Sequence, residues 1–164
     1  MMVREAEREA SRFLESWWRD ADKSGPLPVD PFTMASGLGI KVRFAWLPSD
    51  ESGNIDIPLF GSPVITINEY DSPNRQFTCA HEIGHYLRRQ KQGRRHYTDY
   101  RDTLAGLGSD PEEVFANQFA GALLMPSHLV EQGFHQGESA ENLALRFGTS
   151  AQAMNLRFRN LRLA

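Results

Sequence analysis

One short stretch constrains the chain more than any other. Residues 81–85 read His81-Glu82-Ile83-Gly84-His85, two histidines four positions apart with a glutamate directly after the first. Side chains at i and i+4 share one face of a helix and stand one turn apart. The pattern therefore carries chemistry only if this segment is helical. In that arrangement both imidazoles reach one ion at about 2.0–2.1 Å, the usual zinc–nitrogen distance. Glu82 then lies beside the ion, where a carboxylate can accept a proton from a bound water. In a chain of this composition the five-residue pattern arises by chance about once in a hundred sequences. Its setting counts against chance: a β-forming run precedes it, and the chain holds only five histidines.

The flanking sequence supplies the helix and a sheet. Ser72 is a capping residue, Pro73 suits a first helical position, and Phe77, Ala80, Ile83, Gly84 and Leu87 line an inner face. Ahead of it, Ile40–Phe44 alternates as a strand with one face buried, Ser49–Asn54 reads as a polar turn, and Pro63–Asn68 is a β-branched strand. Residues 2–20 form an amphipathic helix with Trp17 and Trp18 as packing groups. Residues 23–28 are a Gly/Pro linker, and 31–38 a short helix. Residues 88–109 read as a long polar loop with one short helix. Asp110 and Pro111 open a helix that Pro126 stops near Met125. From Ser139 a helix, a Gly148-Thr149-Ser150 turn and a second helix follow. The expected class is α+β: a small twisted β-sheet packed against the histidine helix and further helices, with a C-terminal helical pair. The expected organisation is a single domain over 1–164, with an N-terminal helix (1–25), a core (26–127) and a C-terminal helical segment (128–164).

Composition narrows the function classes. The net charge of −3 argues against a protein that coats nucleic acid. A lone cysteine, Cys79, permits no intrachain disulfide. It points about 200° around the helix from His81 and reads as a packing group. No apolar run is long enough to span a membrane, and the N-terminus leads into charges. The chain reads as cytoplasmic. No acidic residue follows Glu141, whereas Arg146, Arg157, Arg159 and Arg162 do. A DNA-binding helix-turn-helix in that tail is therefore a competing reading.

Two histidines do not complete a zinc site, which takes a third protein ligand. The extended motif with Gly three residues after the second histidine and a third His three beyond fails, because Arg88 and Lys91 occupy those positions. A carboxylate from the next helix remains. Glu113 is preferred over Glu112, since its face carries Ala116, Asn117, Ala120 and Gly121 and lets two helices approach closely. Asn117, one turn on, could hold a ligand in place from behind.

These residues carry a resemblance. Residues 75–87, RQFTCAHEIGHYL, are similar to the active-site helix of the ImmA/IrrE family of metallopeptidases. The later segment from Glu113 through Ala116-Asn117, Phe119-Ala120 and Leu123-Leu124-Met125-Pro126 resembles that family's second block. Phe115 departs from it, where many members carry an acidic residue. The resemblance covers roughly residues 26–163. It implies a zincin-like fold of gluzincin layout and a zinc-dependent endopeptidase. His81, His85 and Glu113 would be the zinc ligands, and Glu82 the catalytic residue. The expected partner is a protein substrate, a helix-turn-helix repressor whose cleavage relieves repression. The alternative is a regulator, antirepressor or antitoxin-like, that binds its partner without cutting it.

Substrate contacts are expected at a sheet edge. The strand Val64–Asn68 reads as that edge, which places Asn68 against an extended peptide. His96 and Tyr97 join Asn68 as substrate-binding candidates. His96, Tyr97, Tyr100 and His128 are the candidates for a donor to a developing oxyanion.

Overall fold

A computed structural model describes residues 2–18, 25–70, 74–93, 97–102 and 110–164, with only the backbone described over 97–102. The elements run α1 (Met2–Trp17), α2 (Pro31–Gly37), β1 (Lys41–Ala45), β2 (Glu51–Ile57), β3 (Val64–Asn68), α3 (Arg75–Lys91), β4 (Tyr97–Asp102), α4 (Pro111–Leu124), α5 (Ser127–His135), α6 (Ala140–Phe147) and α7 (Ala151–Leu161). The class is α+β, as the sequence led us to expect.

Local chemistry sets most helix boundaries. Asp30 caps α2 by accepting from the amides of Phe32 and Thr33, and Asp110 caps α4 through the amide of Glu112. Ser139 and Ser150 cap α6 and α7, and Gly148 ends α6 in the left-handed conformation that glycine adopts without strain. Ser72 and Pro73 lie outside the described residues. The cap position of α3 is Asn74, whose side chain makes no capping bond.

The sheet differs from the expectation in four respects. Its order is β1-β3-β2-β4, with β1 parallel to β3 and the other pairs antiparallel. The strand Val64–Asn68 is thus central, not an edge, and its last four residues are buried. A continuous β-branched run is what a strand covered on both faces requires. Residues 51–54, read as a turn, form the start of β2, because backbone pairing on both sides outweighs their polar character. Part of the expected 88–109 loop is the edge strand β4, while α3 runs on to Lys91. In β1, Val42 packs on the core but Phe44 stays 43% exposed, so this strand has no fully buried face.

The core is layered around α3. Ile55, Ile65 and Ile67 of the sheet are fully buried, as are Cys79, Ala80 and Ile83 of α3. On another face α3 meets α4, where a Cβ at Gly84 would stand only 3.0 Å from the Phe119 ring. The sequence argument gave close approach to Gly121, but a Cβ there would meet nothing within 4 Å. α1 packs against α4 through buried Ala6, Ala10 and Leu14, with Phe13 6.3 Å from Phe119 ring to ring. A second apolar cluster, centred on Leu143, Phe147, Met154 and Phe158, joins α5, α6 and α7. Arg157, 3% exposed, ties the tail to the N-terminus: its guanidinium donates twice to Glu7, at 2.6 and 2.9 Å, and once to the Met125 carbonyl. Among the described residues no helix is long and apolar enough to cross a membrane.

Candidate metal centre

α3 and α4 bring the predicted ligands together. His81, His85 and Glu113 are all buried, and their ligating atoms lie within 4.8 Å of one another. His81 Nε2 and His85 Nε2 stand 3.0 Å apart. The Glu113 carboxylate spans both, with Oε2 3.3 Å from His81 Nε2 and Oε1 3.0 Å from His85 Nε2. In a tetrahedral shell with bonds of about 2.0–2.1 Å, neighbouring ligand atoms sit roughly 3.3–3.4 Å apart. The observed spacings are close to that, so two imidazoles and one carboxylate fit a divalent ion such as zinc.

The electrostatics favour an ionised carboxylate. Burial acts to raise the Glu113 pKa, but the hydrogen bonds and charges of His81 and His85 outweigh it and hold the carboxyl well below its ordinary range. Glu112 is engaged elsewhere: Arg88 Nε donates to it at 2.9 Å, and the same guanidinium lies 4.5 Å above the Phe115 ring. The side chain that departs from the family pattern, Phe115, is thus a buried platform for this cation.

Asn117 sits behind His81, with its Oδ1 3.0 Å from His81 Nδ1. An amide oxygen only accepts, so Nδ1 carries a proton, which leaves Nε2, on the side of Glu113 and His85, as the nitrogen that would face a metal ion. Glu82, the next residue after His81 on α3, is fully buried. Cys79 is also fully buried; burial, then the charges of Glu82 and Asp30, push its thiol far above the ordinary value. An inert packing group is the result.

The remaining candidates separate from this centre. Asn68 is 2% exposed and its amide is spent locally: Nδ2 donates to the carbonyls of Leu47, Pro48 and Glu51, and Oδ1 accepts from the Tyr70 amide. Its observed work is to pin the turns beside β3, not to face a peptide. Tyr97 and Tyr100 lie on the edge strand, opposite Ile57 and Asn54. His96 lies outside the described residues. His128 is exposed on α5, with its ring 6.4 Å from that of Trp18. Sequence reasoning missed Gly84 as the contact that sets the α3–α4 spacing. Its place directly before His85 was the available signal.

Residues 35–159 match the family model described as peptidase M78, the IrrE N-terminal-like domain. A search of curated proteins gave no match.

Proposed function

Because the chain belongs to the IrrE N-terminal-like family of M78 peptidases, a metallopeptidase type, we propose that it is a zinc-dependent endopeptidase acting on a protein substrate, a helix-turn-helix repressor. The observation that carries this reading is the buried His81–His85–Glu113 cluster, with Glu82 fully buried one residue after His81. His81, His85 and Glu113 would hold the zinc, which when bound supplies Lewis-acid polarisation and lowers the pKa of water toward about 7. Asn117 fixes the His81 tautomer, so the ligand nitrogen needs no reorganisation. Glu82 takes a proton from the attacking water and delivers it to the leaving amine nitrogen. The dry surroundings keep that carboxylate from being screened by solvent. Among the described residues the sheet is open at β1 and β4, where an extended substrate can add a strand.

The helical tail favours protein over DNA as partner. Arg157 is turned inward onto Glu7, and Arg146 pairs with Glu138 at 2.6 Å, so two of the four tail arginines are neutralised. The test is to incubate zinc-loaded protein, and its Glu82→Gln variant, with the repressor encoded beside it and to read the products by mass spectrometry. The reading expects one zinc per chain, loss of metal in His81→Ala, and retained metal without cleavage in Glu82→Gln. Repressor binding that is equal in both proteins, with no cut, would replace it with the non-cleaving regulator.

A further inference from the structure

A cavity of about 220 Å³ opens among α3, α4 and α7, lined by Phe77, Asn117, Gly121, Met125, Ala153 and Leu156 among others. Its position follows from helix register. Phe77 stands one turn before His81 on α3, and Asn117 and Gly121 stand one and two turns after Glu113 on α4. The cavity wall therefore continues the two helix faces that carry the metal ligands. Asn117 belongs to both places, since it lines the cavity and its Oδ1 lies 3.0 Å from His81 Nδ1.

Size and lining select the occupant. The volume is several times the roughly 30 Å³ share of a water, yet below the ~300–1,000 Å³ of a drug-sized site. One large aliphatic or aromatic side chain is the natural fit. Phe77, Met125 and Leu156 give it apolar walls, and Leu156 stays 50% exposed on α7. Gly121 is otherwise unexplained. It sits inside α4, where glycine is less favourable than alanine, and a Cβ there would meet nothing within 4 Å. Neither packing nor a positive φ calls for it. What the missing side chain leaves is depth.

We propose that this cavity is the specificity pocket for a large apolar side chain adjacent to the scissile bond, with Gly121 setting its depth. The proposal rests on the endopeptidase reading. The His81 imidazole alone stands between Asn117 at its Nδ1 and the cluster at its Nε2, and an extended peptide advances about 3.3 Å per residue, so the proposal seats a residue next to the bond under attack in this pocket.

The test uses the zinc-loaded protein and a randomised library of capped decapeptides, with cleavage sites read by mass spectrometry. Wild type is expected to require Leu, Phe or Met at one position flanking the cut. Gly121→Leu, which fills open space, should keep its metal and fold. It should lower cleavage beside those residues at least tenfold and shift the preference to Ala, Ser or Gly. Leu156→Gln, at an exposed position, should weaken the apolar preference several-fold. A second measurement needs no turnover: acetyl-phenylalanine amide is titrated into zinc-loaded Glu82→Gln protein, with and without Gly121→Leu, and the Gly121-region amides are followed by NMR. An unchanged library profile, or binding that Gly121→Leu leaves intact, overturns the pocket while the peptidase reading stands. Binding that Gly121→Leu abolishes, in a protein that cuts no peptide, supports an apolar side-chain site and removes the peptidase reading instead.

Discussion

Replacing Gly84 by alanine should couple stability to metal affinity. The added Cβ would lie 3.0, 3.2 and 3.3 Å from Phe119 Cδ1, Cγ and Cβ. That ring cannot withdraw freely, since it is fully buried and flanked by Phe115 and Phe13 at 6.2 and 6.3 Å. Overpacking a filled core costs about 1–3 kcal/mol, and alanine's better helix propensity returns about 1 kcal/mol. The expected net loss is about 1 kcal/mol. Relief comes from moving α4 outward by a few tenths of an ångström, and Glu113 moves with it. A carboxylate that now holds His81 and His85 at 3.3 and 3.0 Å would then meet an ion less well. Zinc affinity should fall about tenfold, or ~1.4 kcal/mol. Urea denaturation of the metal-free protein gives the first number, and competition with a chromophoric chelator the second. A variant as stable as wild type, with unchanged affinity, would refute the reasoning. Gly121→Ala is the matched control. The same change in open space should stabilise by about 0.5–1 kcal/mol.

Other outcomes follow from contacts already described. Asn117→Ala releases His81 Nδ1 and should weaken zinc binding about 10–100-fold while the metal-free fold persists; chelator competition reads it, and an unchanged affinity would contradict the tautomer argument. Arg157→Met removes a bidentate pair to Glu7 and a bond to the Met125 carbonyl. Because the Glu7 side chain is 27% exposed and regains water, the cost should be about 2 kcal/mol, less than for a fully buried pair; a change under about 0.5 kcal/mol in urea melts would count against it. The Glu113 carboxyl has a lowered pKa in the metal-free fold, so the stability it contributes is present above its ordinary value of 4.5 and is lost as the pH falls toward the folded value. The advantage of metal-free wild type over Glu113→Gln should therefore shrink on acidification below 4.5, as measured by chemical denaturation; an advantage that grew in acid would reverse the assigned sign.

How much was legible in the sequence depended on the range of the forces involved. The clustering of His81, His85 and Glu113 was readable because i, i+4 spacing fixes two imidazoles on one face, and because the small residues following Glu113 marked the face it shares. The helices α2, α4, α6 and α7 carried their own start signals in Asp30, Asp110, Ser139 and Ser150. The sheet was harder, since strand identity is settled by neighbours distant in sequence. Glu51–Asn54 is strand because β3 and β4 pair with it on either side. Gly53 is required there by the same distant neighbours: a Cβ would stand 2.6 Å from Thr78 Cγ2 and 2.8 Å from the Thr66 carbonyl. Asn68 misled because an asparagine at the end of a strand suits substrate binding and turn-pinning equally well. Only the positions of Leu47, Pro48 and Glu51 decide between them.

The packing of α1 on α4 orders events during synthesis. The apolar stripe Ala6, Ala10 and Leu14 leaves the ribosome about a hundred residues ahead of Phe115 and Phe119 of α4, the helix it packs against. At about 5–20 residues per second that interval is roughly 5–20 s. The histidines of α3 precede Glu113 by a shorter stretch. Closing the α1–α4 contact and completing the His81–His85–Glu113 cluster thus wait on the same segment, α4.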